Sequence, residues 1–393
     1  MQPPIKTNPG GEVSPRETLG RDEFIERLWD ILPGQSIYMN DLRRIGKTQI
    51  MKKMTAEPRA GWATVYRDVS FCGTAAEFAT MAYRLSHEVL GQQKRTLRRM
   101  GELLGKAAGT EIAGLIKLPD GSAAPWKEVL SRTFADIDEE MKALGPNRRM
   151  IFFWDEVPYL IGKIAKNDSP AIAMEVLDVL RALGQDHDRV RLVLTGSIGL
   201  HHVLEALKRD GYHGSPLNRM ASERPGPLEP AEALVLAQRL IAGSGLTCED
   251  AAQCATIIST AVGHVPFYIQ KLISRLPKAT PLTKALIHEL LDREISSDHN
   301  DWDLRHYRDR LRTYYGDEET LALHILDTTA IDGDHTFNTI RKAVNAQMAV
   351  DDERLRQLLK LLCMDHYLVR SGENGFCFYL EIIRRWWRLD RCL

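Results

Sequence analysis

The chain has few cysteines for its length, six in 393 residues. Cys72, Cys248, Cys254, Cys363, Cys377 and Cys392 form no CxxC pair and no zinc-ligand spacing, which argues against a zinc site and predicts buried thiols in a reducing compartment. An excess of charge of one sign is also missing. Lys plus Arg number 52 against 53 Asp plus Glu, a net charge of -1, so bulk charge points to no nucleic-acid, membrane or acidic partner. No run of about 18 uncharged apolar residues occurs, and residues 1–20 hold no apolar signal core, so a cytoplasmic protein that does not enter the membrane is expected. No internal repeat is present. With 44% hydrophobic and 27% charged residues, the chain has the composition of a folded globular protein, and its length predicts two or three domains.

Residues 1–18, rich in Pro and Gly, are expected to form a flexible leader. A helical period comes next over Arg21 to Leu32, with Phe24, Ile25, Leu28 and Trp29 on one face. Strands are then expected at Ser36 to Met39, Ala63 to Val69, Arg149 to Trp154 and Val190 to Thr195. Helices are expected at Gln49 to Thr55, Ala75 to Leu90, Trp126 to Leu144 and Ala171 to Leu183. This alternation predicts an α/β core over 19–226, a parallel sheet in three layers, with a variable insertion at 92–125. Beyond it strand signals vanish, which predicts a helical lid over 227–295 and a linker helix over 296–316. Residues 317–393 read as helices near Glu318 to Thr328, His335 to Asn345 and Asp352 to Met364, then β runs at His366 to Arg370 and Phe376 to Leu380. Three helices and a hairpin make a winged-helix pattern.

The segment Asp41 to Thr48 lies between a strand and a helix, where a P-loop turns backbone N–H groups and a helix N-terminus toward phosphate. Arg44, Ile45, Gly46 and Gln49 would supply that cradle, Lys47 would reach the β- and γ-phosphates, and the Thr48 hydroxyl would ligate Mg2+. Asp41 stands where such loops usually open with Gly. A carboxylate about 4 Å from a phosphate costs roughly 1 to 4 kcal/mol, depending on the dielectric. The first position mainly needs a permissive backbone, which Asp tolerates better than most residues, so its side chain is expected to turn outward, and loss of catalysis is the alternative. The apolar run Met150 to Trp154 ends in Asp155 and Glu156. A buried strand delivers such carboxylates to the carboxyl edge of the sheet, where Asp155 can hold Mg2+ and Glu156 can orient or deprotonate a water. At the end of the run from Val190, Thr195 or Ser197 can contact the γ-phosphate or the water, or can simply form a turn.

Taken together, Leu19 to Ile25, Arg43 to Thr48, Phe153 to Pro158, Leu194 to Ile198, Pro216 to Arg219 and Gly263 to Tyr268 resemble the AAA+/STAND P-loop ATPases, close to the origin-initiator clade. The resemblance implies a P-loop NTPase core with helical lid and winged helix, ATP and Mg2+ as cofactors, and slow ATP hydrolysis that controls a switch. It implies that Gly20 and Arg21 lie near the adenine and that His264 and Pro266 pack on the nucleotide, although Gly263 to Pro266 is one residue longer than the usual Gly-x-Pro. Arg219, with Arg224 as competitor, takes the place of an arginine that senses the γ-phosphate. The partners expected are nucleotide, further copies of the chain, a protein, or DNA, which Arg354, Arg356 and Lys360 could approach if Asp352 to Met364 is the third helix of a winged helix. The arginine-rich stretch Ile382 to Arg391 is either a phosphate-contacting patch or a closing helix docked through Ile383, Trp386 and Trp387.

Overall fold

The structure is a computed structural model that describes residues 3–90, 125–196, 199–297, 299, 301–333, 335–372 and 374–393. Nearly all of the expected insertion at 92–125, and Ser197, lie outside the described residues. The chain divides into two compact units, each discontinuous in sequence.

The first unit comprises Asp22–Asn40 and Lys47–Pro225. Its elements run α1 (Asp22–Ile31), β1 (Ile37–Met39), α2 (Lys47–Ala56), β2 (Trp62–Asp68), α3 (Ala75–Leu90), α4 (Trp126–Leu144), β3 (Arg149–Asp155), α5 (Val157–Asn167), α6 (Pro170–Asp186), β4 (Val190–Thr195), α7 (Leu200–Arg209) and β5 (Ala221–Glu223). The strands lie in the order β2-β3-β4-β1-β5, every neighbour parallel. Helices cover both faces, so β3 is buried from Met150 to Asp155, and a parallel strand in that position has to be apolar throughout. Alternate residues go to opposite faces. Phe152 and Trp154 pack with Phe78 and Phe134, whereas Ile151 and Phe153 pack with Leu28, Trp29 and Ile50. Because all strands run the same way, their carboxyl ends at Met39, Asp68, Asp155 and Thr195 share one edge of the sheet. β5, α5 and α7 were not expected from the sequence. β5 is three residues long and partly exposed, and α5 starts directly after Glu156, where Pro158 in its first turn was a start signal that went unread.

The second unit comprises Met1–Arg21, Asp41–Gly46 and Gly226–Leu393. It holds α8 (Pro230–Ser244), α9 (Ala251–Ala261), α10 (Pro266–Arg275), α11 (Lys284–Ile295), α12 (Arg305–Tyr314), α13 (Glu319–Ala330), α14 (Phe337–Asn345), α15 (Asp352–Met364), the antiparallel hairpin β6 (Leu368–Ser371) and β7 (Gly375–Phe378), and α16 (Glu381–Arg391). One apolar core runs through all of it, from Ile5, Leu42 and Ile45 to Trp387. The described part of the leader is laid onto this core: Ile5 is buried, its N–H donates to the Arg239 carbonyl, and a Cβ at Gly243 would strike its backbone. Gly243 is thus the residue that lets the leader lie flat on α8.

His306 is buried in this unit, its ring bonded through Nδ1 to the Asp303 carbonyl. Burial, helped by the Arg310 charge, pushes its pKa down to about 4. The unfolded chain takes up this proton near pH 6.5 and the folded chain does not, so the contribution is present at neutral pH and is lost as pH falls from about 6.5 to about 4. That window is worth at most about 3 kcal/mol. Urea unfolding at pH 7 and pH 4.5 should show the loss, and His306→Gln should flatten it; an equal slope in the variant assigns the acid sensitivity elsewhere.

Candidate functional site

The helix α2 begins at Lys47, so the backbone N–H groups of its first turn face the carboxyl edge of the sheet. Lys47 is buried. One residue on, Thr48 Oγ1 donates to Asp155 Oδ2 at 2.6 Å across a sequence separation of 107. The same carboxylate oxygen accepts from the Tyr66 hydroxyl at 3.2 Å, and Oδ1 accepts from the Glu156 N–H at 3.1 Å. Burial raises the Asp155 pKa, while the Thr48 hydrogen bond and the Lys47 charge oppose the rise. Glu156 caps α5 with φ 61°, in the left-handed region. A non-glycine residue held there costs on the order of 1 to 3 kcal/mol, and such strain concentrates where a side chain has to be aimed. At the end of β4, Thr195 is fully buried, and its Oγ1 has no hydrogen-bond partner among the described residues; the same holds for Gln49 Oε1. An orphaned hydroxyl at a strand's carboxyl end is the kind of group a bound ligand satisfies.

In the other unit, Asp41 does not turn outward as expected. Its side chain is fully buried. Oδ1 accepts from the Leu42 N–H at 2.7 Å, Oδ2 accepts from the Gly226 N–H at 2.6 Å, and His366 Nε2 lies 3.7 Å from Oδ1. The carboxylate is engaged by the interior of its own unit. Arg21 completes the arrangement by donating to the carbonyls of Ile45 (2.9 Å) and Gly226 (2.8 Å). Burial pushes the Arg21 pKa down to about 10, against the pull of Asp41. Arg43 and Arg44 both pair with Asp303, at 3.0 and 2.9 Å, and Arg44 also stacks on Phe267. The loop turns through Arg44 (φ 67°) and Gly46 (φ 103°), and a Cβ at Gly46 would meet nothing within 4 Å. Open space over consecutive backbone N–H groups suits an anion.

Gly20 is left-handed, and a Cβ there would press on Glu232 and Leu228. In the expected lid element, Gly263 and His264 are both left-handed (φ 63° and 58°) and Pro266 opens α10. The His264 carbonyl accepts from the Leu228 N–H. The two candidate arginines separate. Arg219 precedes β5 and lines a cavity of about 230 Å3 with Gln35, Ser36, Asp188 and Arg191, residues at the amino ends of β1 and β4. It therefore sits at the edge opposite Lys47. Arg224, exposed, comes directly after β5 at the carboxyl edge. Tyr66 went unnoticed in the sequence because only the register of β2 beside β3 brings it to Asp155.

Arg354, Arg356 and the arginines near the C-terminus have partners. Arg354 pairs with Glu318 through both carboxylate oxygens, and Arg356 stacks on Phe337. On α16, Arg384 and Arg388 meet Asp332, Arg385 meets Asp292, and Arg391 meets Asp327. Ile382, Ile383, Trp386 and Trp387 are buried, the arrangement of a closing helix.

No family model matches the sequence, and no curated protein matches it. Solved structures do. The Walker-type ATPase PABY2304 of Pyrococcus abyssi is similar over 99% of each chain at 16% identity with a TM-score of 0.61. The ORC2 protein of Aeropyrum pernix, in ADPNP-ADP complexes, is similar over 95% of each chain at 12% identity with a TM-score of 0.50. At such identities the likeness is one of fold.

Proposed function

Starting from the AAA+ P-loop ATPase fold, related to the origin-initiator clade, that this chain carries, we propose that it binds ATP with Mg2+ and hydrolyses it slowly, as a nucleotide-controlled switch. The observation that carries this reading is the meeting of Thr48 with Asp155 at 2.6 Å. A hydroxyl one residue after the loop lysine and a carboxylate from the end of a buried strand are the pair such a metal needs. The nucleotide complexes of the Aeropyrum neighbour support the same ligand class.

The residues fit the ligands. Gly46 leaves the open space that a phosphate needs, and the Thr195 hydroxyl, which has no hydrogen-bond partner among the described residues, can donate to a phosphate oxygen. Thr48 and Asp155 would hold Mg2+, whose chemistry at such a site is to neutralise charge on the phosphoryl oxygens. Lys47 binds the β- and γ-phosphates, and the N–H groups of Arg44, Ile45, Gly46 and Gln49 cradle them. Gly20, Arg21, His264 and Pro266 bound the base. Glu156 takes the proton of the attacking water or orients it. Arg224 stands at the carboxyl edge of the sheet with Lys47, and Arg219 stands at the opposite edge. We read α13, α14, α15 and the β6–β7 hairpin as a winged helix. The acid partners of Arg354 and of the α16 arginines leave DNA binding without a specific observation in its favour.

Calorimetry with ATP and Mg2+ should show saturable binding, together with measurable phosphate release. Glu156→Gln should keep the binding and lower turnover about 100-fold or more, the usual size of a general-base effect. In the same assay Arg224→Ala, rather than Arg219→Ala, should slow a dilute monomer. No heat and no turnover in the unmodified protein would falsify the reading.

A further inference from the structure

We propose that Tyr66 is a positioning residue for the metal-binding carboxylate, holding Asp155 with Oδ2 turned toward Thr48. The proposal rests on the reading that Thr48 and Asp155 hold Mg2+.

A carboxylate at the end of a strand rotates easily about its last side-chain bond, where no sharp rotamer exists. Three donors fix this one: the Glu156 N–H on Oδ1, and the hydroxyls of Thr48 and Tyr66 on Oδ2. With its one proton on Asp155 and its oxygen on a cation, the Thr48 hydroxyl would serve two groups at once. Tyr66 can hold the carboxylate meanwhile, because its hydroxyl is not one of the expected ligands.

The position accounts for the residue type. Tyr66 lies beside Phe153 in the β2–β3 register, two residues short of the Asp68–Asp155 pair. Alternation puts Tyr66, Phe153 and Asp155 on the same face of the sheet, the face covered by α2. Two strand residues span about 6.6 Å. A tyrosine ring and hydroxyl cover that distance along the sheet, and Ser or Thr at this position would fall short. Lys52, its Nζ 5.7 Å from the ring centroid, stands one helical turn beyond Thr48 on the same face of α2. The ring is therefore held in place by the helix that carries Thr48, and its packing needs no hydroxyl.

Tyr66→Phe keeps the ring and deletes the donor. Nucleotide binding in EDTA should equal that of the unmodified protein, and the thermal midpoint should be retained. The Mg2+ concentration for half-maximal hydrolysis should rise about tenfold, as outer-shell partners of metal ligands generally cost, and Mn2+ should restore part of the activity. An unchanged Mg2+ titration overturns the proposal, and so does a lowered thermal midpoint accompanied by an unchanged titration, which marks a purely structural hydroxyl. If the unmodified protein binds and turns over ATP with no dependence on Mg2+, the metal-site reading itself falls, and this proposal falls with it.

Discussion

Replacing Lys47 with alanine is expected to remove ATP binding, with affinity falling about three orders of magnitude. The ammonium group is buried at the first turn of α2, where the surroundings screen charge less than water does. Two unit charges about 4 Å apart attract by about 4 kcal/mol at an effective dielectric of 20, and each 1.4 kcal/mol is about a factor of ten. The N–H groups of the helix terminus remain in the variant, so weak millimolar binding of phosphate should survive. Lys53→Ala is the matched control: that ammonium pairs with the exposed Asp22 and should leave binding as it was. Calorimetry on both variants decides the matter. Affinity within threefold of normal in Lys47→Ala would mean that the phosphates lie elsewhere.

The second large effect runs against the consensus. Asp41→Gly restores the residue that usually opens a P-loop, yet it is expected to destabilise the protein by about 3 kcal/mol or more and to bring no gain in ATP affinity. The carboxylate accepts from two backbone N–H groups and lies beside Arg21 and His366 inside one unit. Removing one member of a buried charged set strands the others, typically at 3 to 5 kcal/mol. Thermal unfolding and ATP titration of the variant, compared with Asp41→Asn, provide the test. A glycine variant of equal stability and tighter binding would instead identify Asp41 as a brake on nucleotide.

The legibility of the site in the sequence depended on how local each signal is. Strand β3 and its two carboxylates could be read directly, because a parallel strand covered on both faces has to be a continuous apolar run, and the residues just after it have to emerge at the edge. The same holds for β4 and Thr195. Asp41 could not be read correctly. Its partner Gly226 is 185 residues away, and nothing near Asp41 in sequence says that a carboxylate there is sheltered. Arg219 and Arg224 flank a strand of three residues, and only the direction of that strand tells which of them shares an edge with Lys47. Tyr66 is a further case. It stands 89 residues from Asp155 in the chain, and its meaning lies in a register that exists only once the two strands pair.

The discontinuous make-up of the two units has a consequence for synthesis on the ribosome. Every strand of the sheet has emerged by Glu223, and that unit, Asp22–Asn40 with Lys47–Pro225, has all its parts early. Residues 41–46 wait longer, since Arg44 is anchored by Asp303 across 259 positions and Asp41 faces His366. Contacts of such span form late. The loop at residues 41–46 is therefore among the last segments of its unit to find its surroundings.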